Sequence, residues 1–150
     1  MLSVGDKVGA FEGESSTGER IKLDTLKGKP FVVFFYPKSF TPGCTIETRS
    51  FAQLYPSFKT LDVELVGISM DKLKTQCDFA EKMGASFPIV ADPRGEVAAA
   101  FGVKKRLLPT YKRVTFVIDE QGVVEKVIPV GFGVGKHPEE VLEYLRSRGA

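Results

Sequence analysis

Phe31-Val32-Val33-Phe34-Phe35-Tyr36-Pro37-Lys38-Ser39-Phe40-Thr41-Pro42-Gly43-Cys44-Thr45 is the stretch that decides the fold of this 150-residue chain. Its first six residues are all β-branched or aromatic, with no polar alternation. That is the composition of a strand covered on both faces. Pro37 ends it. Thr41 then has the chemistry of a helix N-cap, and Pro42 falls at the first helical position, where its missing N–H costs nothing. The spacing of Phe51, Leu54, Tyr55 and Phe58 predicts a helix to about Lys59, kinked at Pro56. Strand, short loop and helix in that order open an α/β unit.

Working outward, strands and helices alternate without internal repeats. Phe11 anchors an opening strand or hairpin, Ile21 to Leu23 reads as a short strand, and Asp24 caps a brief turn closed by Gly28. Val63 to Ser69 and Phe87 to Val90 are further strands, and helices are expected over 71–83 and 96–101. Arg113 to Ile118 and Val123 to Val130 flank Asp119-Glu120-Gln121-Gly122, a hairpin signal. Pro138 to Arg148 forms the last helix, with His137 as its cap. Together these predict an α/β fold with a mixed central sheet flanked by helices, one domain over 1–150.

Composition narrows the function. Twenty-one Lys and Arg against 19 Asp and Glu leave a net charge of +2, which argues against nucleic acid as a partner. The apolar run 31–36 is far below the roughly 18 residues of a membrane span. The first residues lack the basic start and apolar stretch of a secretory signal, so a cytoplasmic location is expected. One histidine and two cysteines are too few ligands for structural zinc, and no cofactor is expected. Two cysteines in such a chain are either buried and inert or redox-active.

Cys44 favours the second option. With Thr41 as cap, it is the third residue of a helix leaving the C-terminal edge of a buried strand, where α/β sheets bind ligands. Unpaired N–H groups and the helix dipole favour negative charge there, hence the nucleophilic thiolate. Gly43 lets a small ligand approach the backbone, and Thr41 adds a hydroxyl. Spacing alone leaves open a capped helix that merely happens to carry cysteine.

The segment from Pro37 to Cys44 resembles the Pro-x-x-x-Thr-x-x-Cys motif of the peroxiredoxins. Tyr36-Pro37-Lys38, Thr41 to Thr45, Val4-Gly5-Asp6, Val66 to Asp71 and Arg113 to Asp119 are similar to the Q-type, or bacterioferritin comigratory, branch. The resemblance implies a thioredoxin-like fold and a thiol-dependent peroxidase acting on hydrogen peroxide and alkyl hydroperoxides. It implies that Cys44 is the peroxidatic cysteine, that Arg113 stabilises the thiolate and the oxygens, and that Thr41 and the N–H groups of Gly43 and Cys44 hold the peroxide. Pro37 would shield the sulfur, and Glu47 would orient Arg113. Without the motif, Arg113 reads as a surface charge at a strand start.

Many Q-type members place a resolving cysteine five residues after the first; that position here is Arg49. A second group places it on a later helix, and Cys77 corresponds to that layout. It would resolve the sulfenic acid as an intramolecular disulfide, which a thioredoxin-type reductant would reopen. The alternative is a core thiol, since Leu73, Cys77, Ala80 and Gly84 share a helical stripe. Phe40 makes the rim apolar and suits organic hydroperoxides, and the basic cluster over 104–112 reads as a solvated loop. A monomer or weak dimer is expected. The competing class is a thioredoxin-fold binding or chaperone-like protein with structural cysteines; a disulfide oxidoreductase would need a Cys-x-x-Cys, which is absent.

Overall fold

The computed structural model describes residues 1–103, 111–129 and 134–148. A short antiparallel hairpin, β1 (Glu12–Glu14) with β2 (Arg20–Lys22), leads into a small helix α1 (Leu23–Leu26). Then come β3 (Phe31–Phe35), α2 (Pro42–Thr60), β4 (Glu64–Ser69), α3 (Leu73–Met83), β5 (Ile89–Ala91), α4 (Glu96–Phe101), β6 (Val114–Ile118), β7 (Val124–Pro129) and α5 (His137–Arg148). Five strands form one sheet in the order β5-β4-β3-β6-β7. β3, β4 and β5 run parallel, whereas β6 and β7 are antiparallel to their neighbours. The expected mixed sheet between helices is therefore present.

β3 sits at the centre because it has no face to give to water. Phe31, Val33 and Phe35 enter one core with Phe11, Val97, Phe101, Tyr111 and Phe116. Val32, Phe34 and Tyr36 enter the other, with Phe51, Phe58, Phe79, Phe87 and Leu142 from the sheet edge and from α2, α3 and α5. Phe34 stacks on Phe51 with ring centroids 4.2 Å apart. Its ring also occupies the space above Gly67, where a Cβ would stand 2.6 Å from Cζ. A side chain at 67 would displace the ring that seats α2 on the sheet.

Several boundaries differ from the sequence reading, each for a local reason. Leu23 belongs to α1, not to the strand, and Lys22 occupies the cap position with Thr25 as its bonding partner. The third helix starts at Leu73 because the Asp71 carboxylate is engaged outside it, accepting from the Ser69 hydroxyl at 2.6 Å and the Ser39 N–H at 2.7 Å. β5 starts at Ile89, after Pro88, whose carbonyl accepts from the Gly67 N–H. α2 continues through Pro56 to Thr60. The 119–122 turn joins β6 to β7 as expected, with a register shift at Val117/Ile118. Residues 104–110 of the basic cluster, and Val130 at the end of the last expected strand, lie outside the described residues.

Candidate active site

The register of the sheet delivers the site. β3 pairs Phe35 with Val114 of the antiparallel β6, so the start of β6 lies at the edge where β3 ends. Arg113, one residue before β6, therefore emerges beside the start of α2. Thr41 is the N-cap residue and Pro42 the first helical residue, with Gly43 and Cys44 next. The helical ladder begins with the Thr45 N–H donating to the Thr41 carbonyl at 2.9 Å. The N–H groups of Gly43 and Cys44 precede that ladder and point out of the helix end.

The Thr41 side chain does not cap the helix. Its hydroxyl donates to the Lys38 carbonyl at 2.7 Å, which leaves the lone pairs of Oγ1 to accept from another group. Cys44 is fully buried, within the core formed with Tyr36 and Phe51. Pro37 is half-buried at the end of β3. Phe40 adopts a left-handed backbone conformation (φ 68°), uncommon for a bulky residue. It stays 48% exposed, its ring edge against Phe79 of α3 at 5.1 Å.

Arg113 lies over the first turn of α2. A Cβ on Gly43 would stand 3.1 Å from Nη2, so a side chain at 43 would crowd the guanidinium and push it aside by a few tenths of an ångström. Nη1 donates to Oε1 of Glu47 at 3.0 Å, one turn after Cys44. Glu47 is fully buried, and Arg113 is 20% exposed at its side chain. Burial pushes the Glu47 carboxyl up to about 7 despite the opposing pull of Arg113. Desolvation therefore outweighs the ion pair.

Among the residues that sequence reasoning missed is His137. The sequence reads it as the cap of the last helix. Instead it is the first residue of α5, 1% exposed, with Nε2 2.6 Å from Oγ1 of Thr115 and 4.0 Å from Oε2 of Glu47. Burial, aided by Arg113, holds its imidazole down to about 4. A second missed group ties the Cys44 loop to α3. The Ser39 hydroxyl donates to Oε1 of Gln76 at 2.7 Å and lies 2.9 Å from the Tyr36 hydroxyl, while Nε2 of Gln76 donates to Ser69 and to the Val90 carbonyl. Nothing in the periodicity marks these polar residues, because they occupy positions on apolar faces.

Cys77 is exposed and unbonded. The core-thiol alternative is thereby corrected: α3 buries Gln76, Phe79, Ala80 and Met83, and of the expected stripe Leu73, Cys77, Ala80 and Gly84 only Ala80 is buried. Gln76 within the buried face disguised it. Arg49 is exposed on α2. Among the described residues no cluster of three or more His, Cys, Asp or Glu could hold a metal ion. Nor is any described helix long and apolar enough to cross a membrane.

Comparison with known proteins identifies the family. Residues 4–127 match the AhpC/TSA family. The chloroplastic peroxiredoxin Q of Sedum lineare is 38% identical, over 91% of this chain and 74% of that protein. The crystal structure of peroxidoxin BcpB from Mycobacterium tuberculosis superposes with a TM-score of 0.90 at 40% identity, covering 98% of each chain. That of a bacterioferritin comigratory protein from Xanthomonas campestris, described for alkyl peroxide reduction, gives 0.86 at 30% identity over 93% of this chain and 92% of its own. A buried cysteine at a helix start, an arginine laid over the residue before it, and kinship along nearly the whole chain make this protein a peroxiredoxin of the AhpC/TSA family, a thiol peroxidase on the Q-type, bacterioferritin comigratory branch.

Proposed function

We propose that Cys44 is the peroxidatic cysteine and that Arg113, Thr41 and the N–H groups of Gly43 and Cys44 form the peroxide cradle around it. The observation that carries this reading is the Arg113 guanidinium lying against Gly43, locked by Glu47 at 3.0 Å. It places a fixed cation and two free N–H groups around the first turn, where charge moves during O–O cleavage. Thr41 Oγ1, committed as donor to Lys38, accepts the hydroperoxide O–H and so holds the hydroxyl-bearing oxygen toward the sulfur. The Cys44 thiolate attacks that oxygen, the O–O bond breaks, and the departing oxygen takes up a proton as water or alcohol. Cys44 is left as a sulfenic acid. Pro37 keeps bulk water from the sulfur.

Cys77 is the proposed resolving thiol. Its sulfur attacks the Cys44 sulfenic acid, water leaves, and an intramolecular disulfide forms, which a thioredoxin-type dithiol reduces. A disulfide needs α-carbons within roughly 4.4–6.8 Å, and one sulfur here is buried while the other faces outward on a different helix. The first turn of α2 must therefore unwind to present Cys44. The exposed Phe40 gives the rim an apolar edge and favours organic hydroperoxides beside hydrogen peroxide. A monomer or weak dimer working in the cytoplasm fits a cycle that closes within one chain.

Turnover of cumene hydroperoxide with a thioredoxin–thioredoxin reductase couple tests the assignment. Cys44→Ser abolishes consumption; Cys77→Ser retains the first turnover but loses the Cys44–Cys77 cross-link in peptide mapping. Undiminished consumption by Cys44→Ser contradicts the nucleophile, and unchanged recycling by Cys77→Ser contradicts the resolver.

A further inference from the structure

Behind the arginine, the second carboxylate oxygen of Glu47 and the buried imidazole of His137 are not used by the chemistry above. Oε1 of Glu47 holds Arg113, but among the described residues Oε2 is buried without a hydrogen-bond partner, and so is Nδ1 of His137. Buried polar atoms left unpaired call for a reason. Two contacts fix the imidazole ring, and a third holds the turn that precedes it. Oγ1 of Thr115 on β6 meets Nε2 at 2.6 Å, and Phe51 of α2 packs against the ring edge-on with centroids 6.2 Å apart. The third hold is on the turn before α5, where the Ser50 hydroxyl donates to the Gly135 carbonyl at 2.9 Å. So fixed, Nε2 stands 4.0 Å from the unpaired Oε2.

We propose that His137 is a positioning residue for Arg113, acting through Glu47: its ring, held by Thr115, presents a polar edge to the free oxygen of the carboxylate that clamps the guanidinium. The inference rests on the assignment of Arg113 to the peroxide cradle. In the tautomer protonated at Nε2, the N–H that donates to Thr115 Oγ1 also sets its positive end 4.0 Å from Oε2, short for a charge–dipole contact in a buried site though too long for a hydrogen bond. That contact favours the ionised carboxylate, which holds Arg113 as an ion pair. A protonated Glu47 holds it only as a neutral acceptor. Burial opposes ionisation of both groups, and Arg113 acts on both. Among the described residues, other groups lie on the elements that carry the pair. α2 contributes Cys44; α5 contributes Glu139 and Glu140, both exposed; Lys136, just before α5, is exposed; β7 sets the apolar Ile128 opposite Thr115.

The test is the pH profile of single-turnover peroxide consumption for wild type, His137→Phe, His137→Gln and Arg113→Gln. With His137→Phe the midpoint of the acid limb moves up by about one pH unit, a tenfold change in the ionisation of Glu47. The amide N–H of His137→Gln brings it back toward wild type. A merely structural histidine would lower thermal stability and leave the midpoint in place, and that result overturns the inference. If His137→Phe does not fold, Thr115→Val decides: losing the bond that fixes the ring shifts the midpoint in the same direction, and no shift overturns the inference. Arg113→Gln separates the two levels. A normal rate in that variant removes the cradle assignment and this inference with it. A depressed rate with an unmoved His137→Phe midpoint removes the inference alone.

Discussion

Glu47 meets two opposed demands at the scale of single residues. It holds Arg113 as an ion pair only when ionised, and it is buried where ionisation is disfavoured. Its carboxyl is pushed from the ordinary 4.5 to about 7, and the His137 imidazole is held from 6.5 to about 4. The consequences for stability have opposite signs. Glu47 contributes stability below pH 4.5 that is lost as pH rises through 7. His137 contributes stability above pH 6.5 that is lost as pH falls through 4. Between about 4.5 and 6.5 the two trends offset each other. Thermal melts across that window therefore show little slope from this pair in the wild type. Glu47→Gln leaves the histidine trend alone, so its melting temperature falls on acidification relative to wild type. His137→Gln leaves the opposite trend, a relative fall as pH rises. Parallel curves for all three proteins would contradict the opposed burial of the two groups.

At this scale the sequence was partly legible. Cys44 and Thr41 announced themselves because capping chemistry is local: a threonine, a proline and a glycine in three successive positions specify the helix start. Arg113 was legible only through the family motif, since the register that carries it to Gly43 spans the sheet. His137 was not legible. A lone histidine before a helical proline reads as a cap, and its partners Thr115 and Glu47 are distant in sequence.

At the scale of elements, β3 and α2 were read from the chain because each carries a long, unmixed signal. A continuous apolar strand has few alternative uses, and α2 holds Phe51 and Phe58 at helical spacing on one buried face. Short elements were displaced where a tertiary bond won over local propensity, as with Asp71, taken by Ser39 and Ser69. The junction between β6 and α2 makes its own prediction. Gly43→Ala suits a helix first turn by propensity, but its Cβ would stand 3.1 Å from Nη2 of Arg113. The guanidinium must move aside. The fold should persist, with a melting temperature within about 2 °C of wild type, while the rate of peroxide reduction falls on the order of tenfold to a hundredfold. A wild-type rate in Gly43→Ala would mean that the position of Arg113 over the first turn is immaterial.

For the whole molecule, one sheet with a core on each face sets up a contrast between two sulfurs. α2 packs its face into the core and takes Cys44 with it, whereas α3 packs through Phe79 and Met83 and leaves Cys77 outside. Accessibility alone would make Cys77 the first thiol to meet an oxidant. The proposed roles of Cys44 and Arg113 predict the reverse. The most direct measurement is peptide mapping of the reduced wild-type protein after one equivalent of hydrogen peroxide, trapped within a fraction of a second by dimedone. The dimedone adduct is predicted on the peptide bearing Cys44, with Cys77 unlabelled. An adduct on Cys77 while Cys44 remains a thiol would contradict the account.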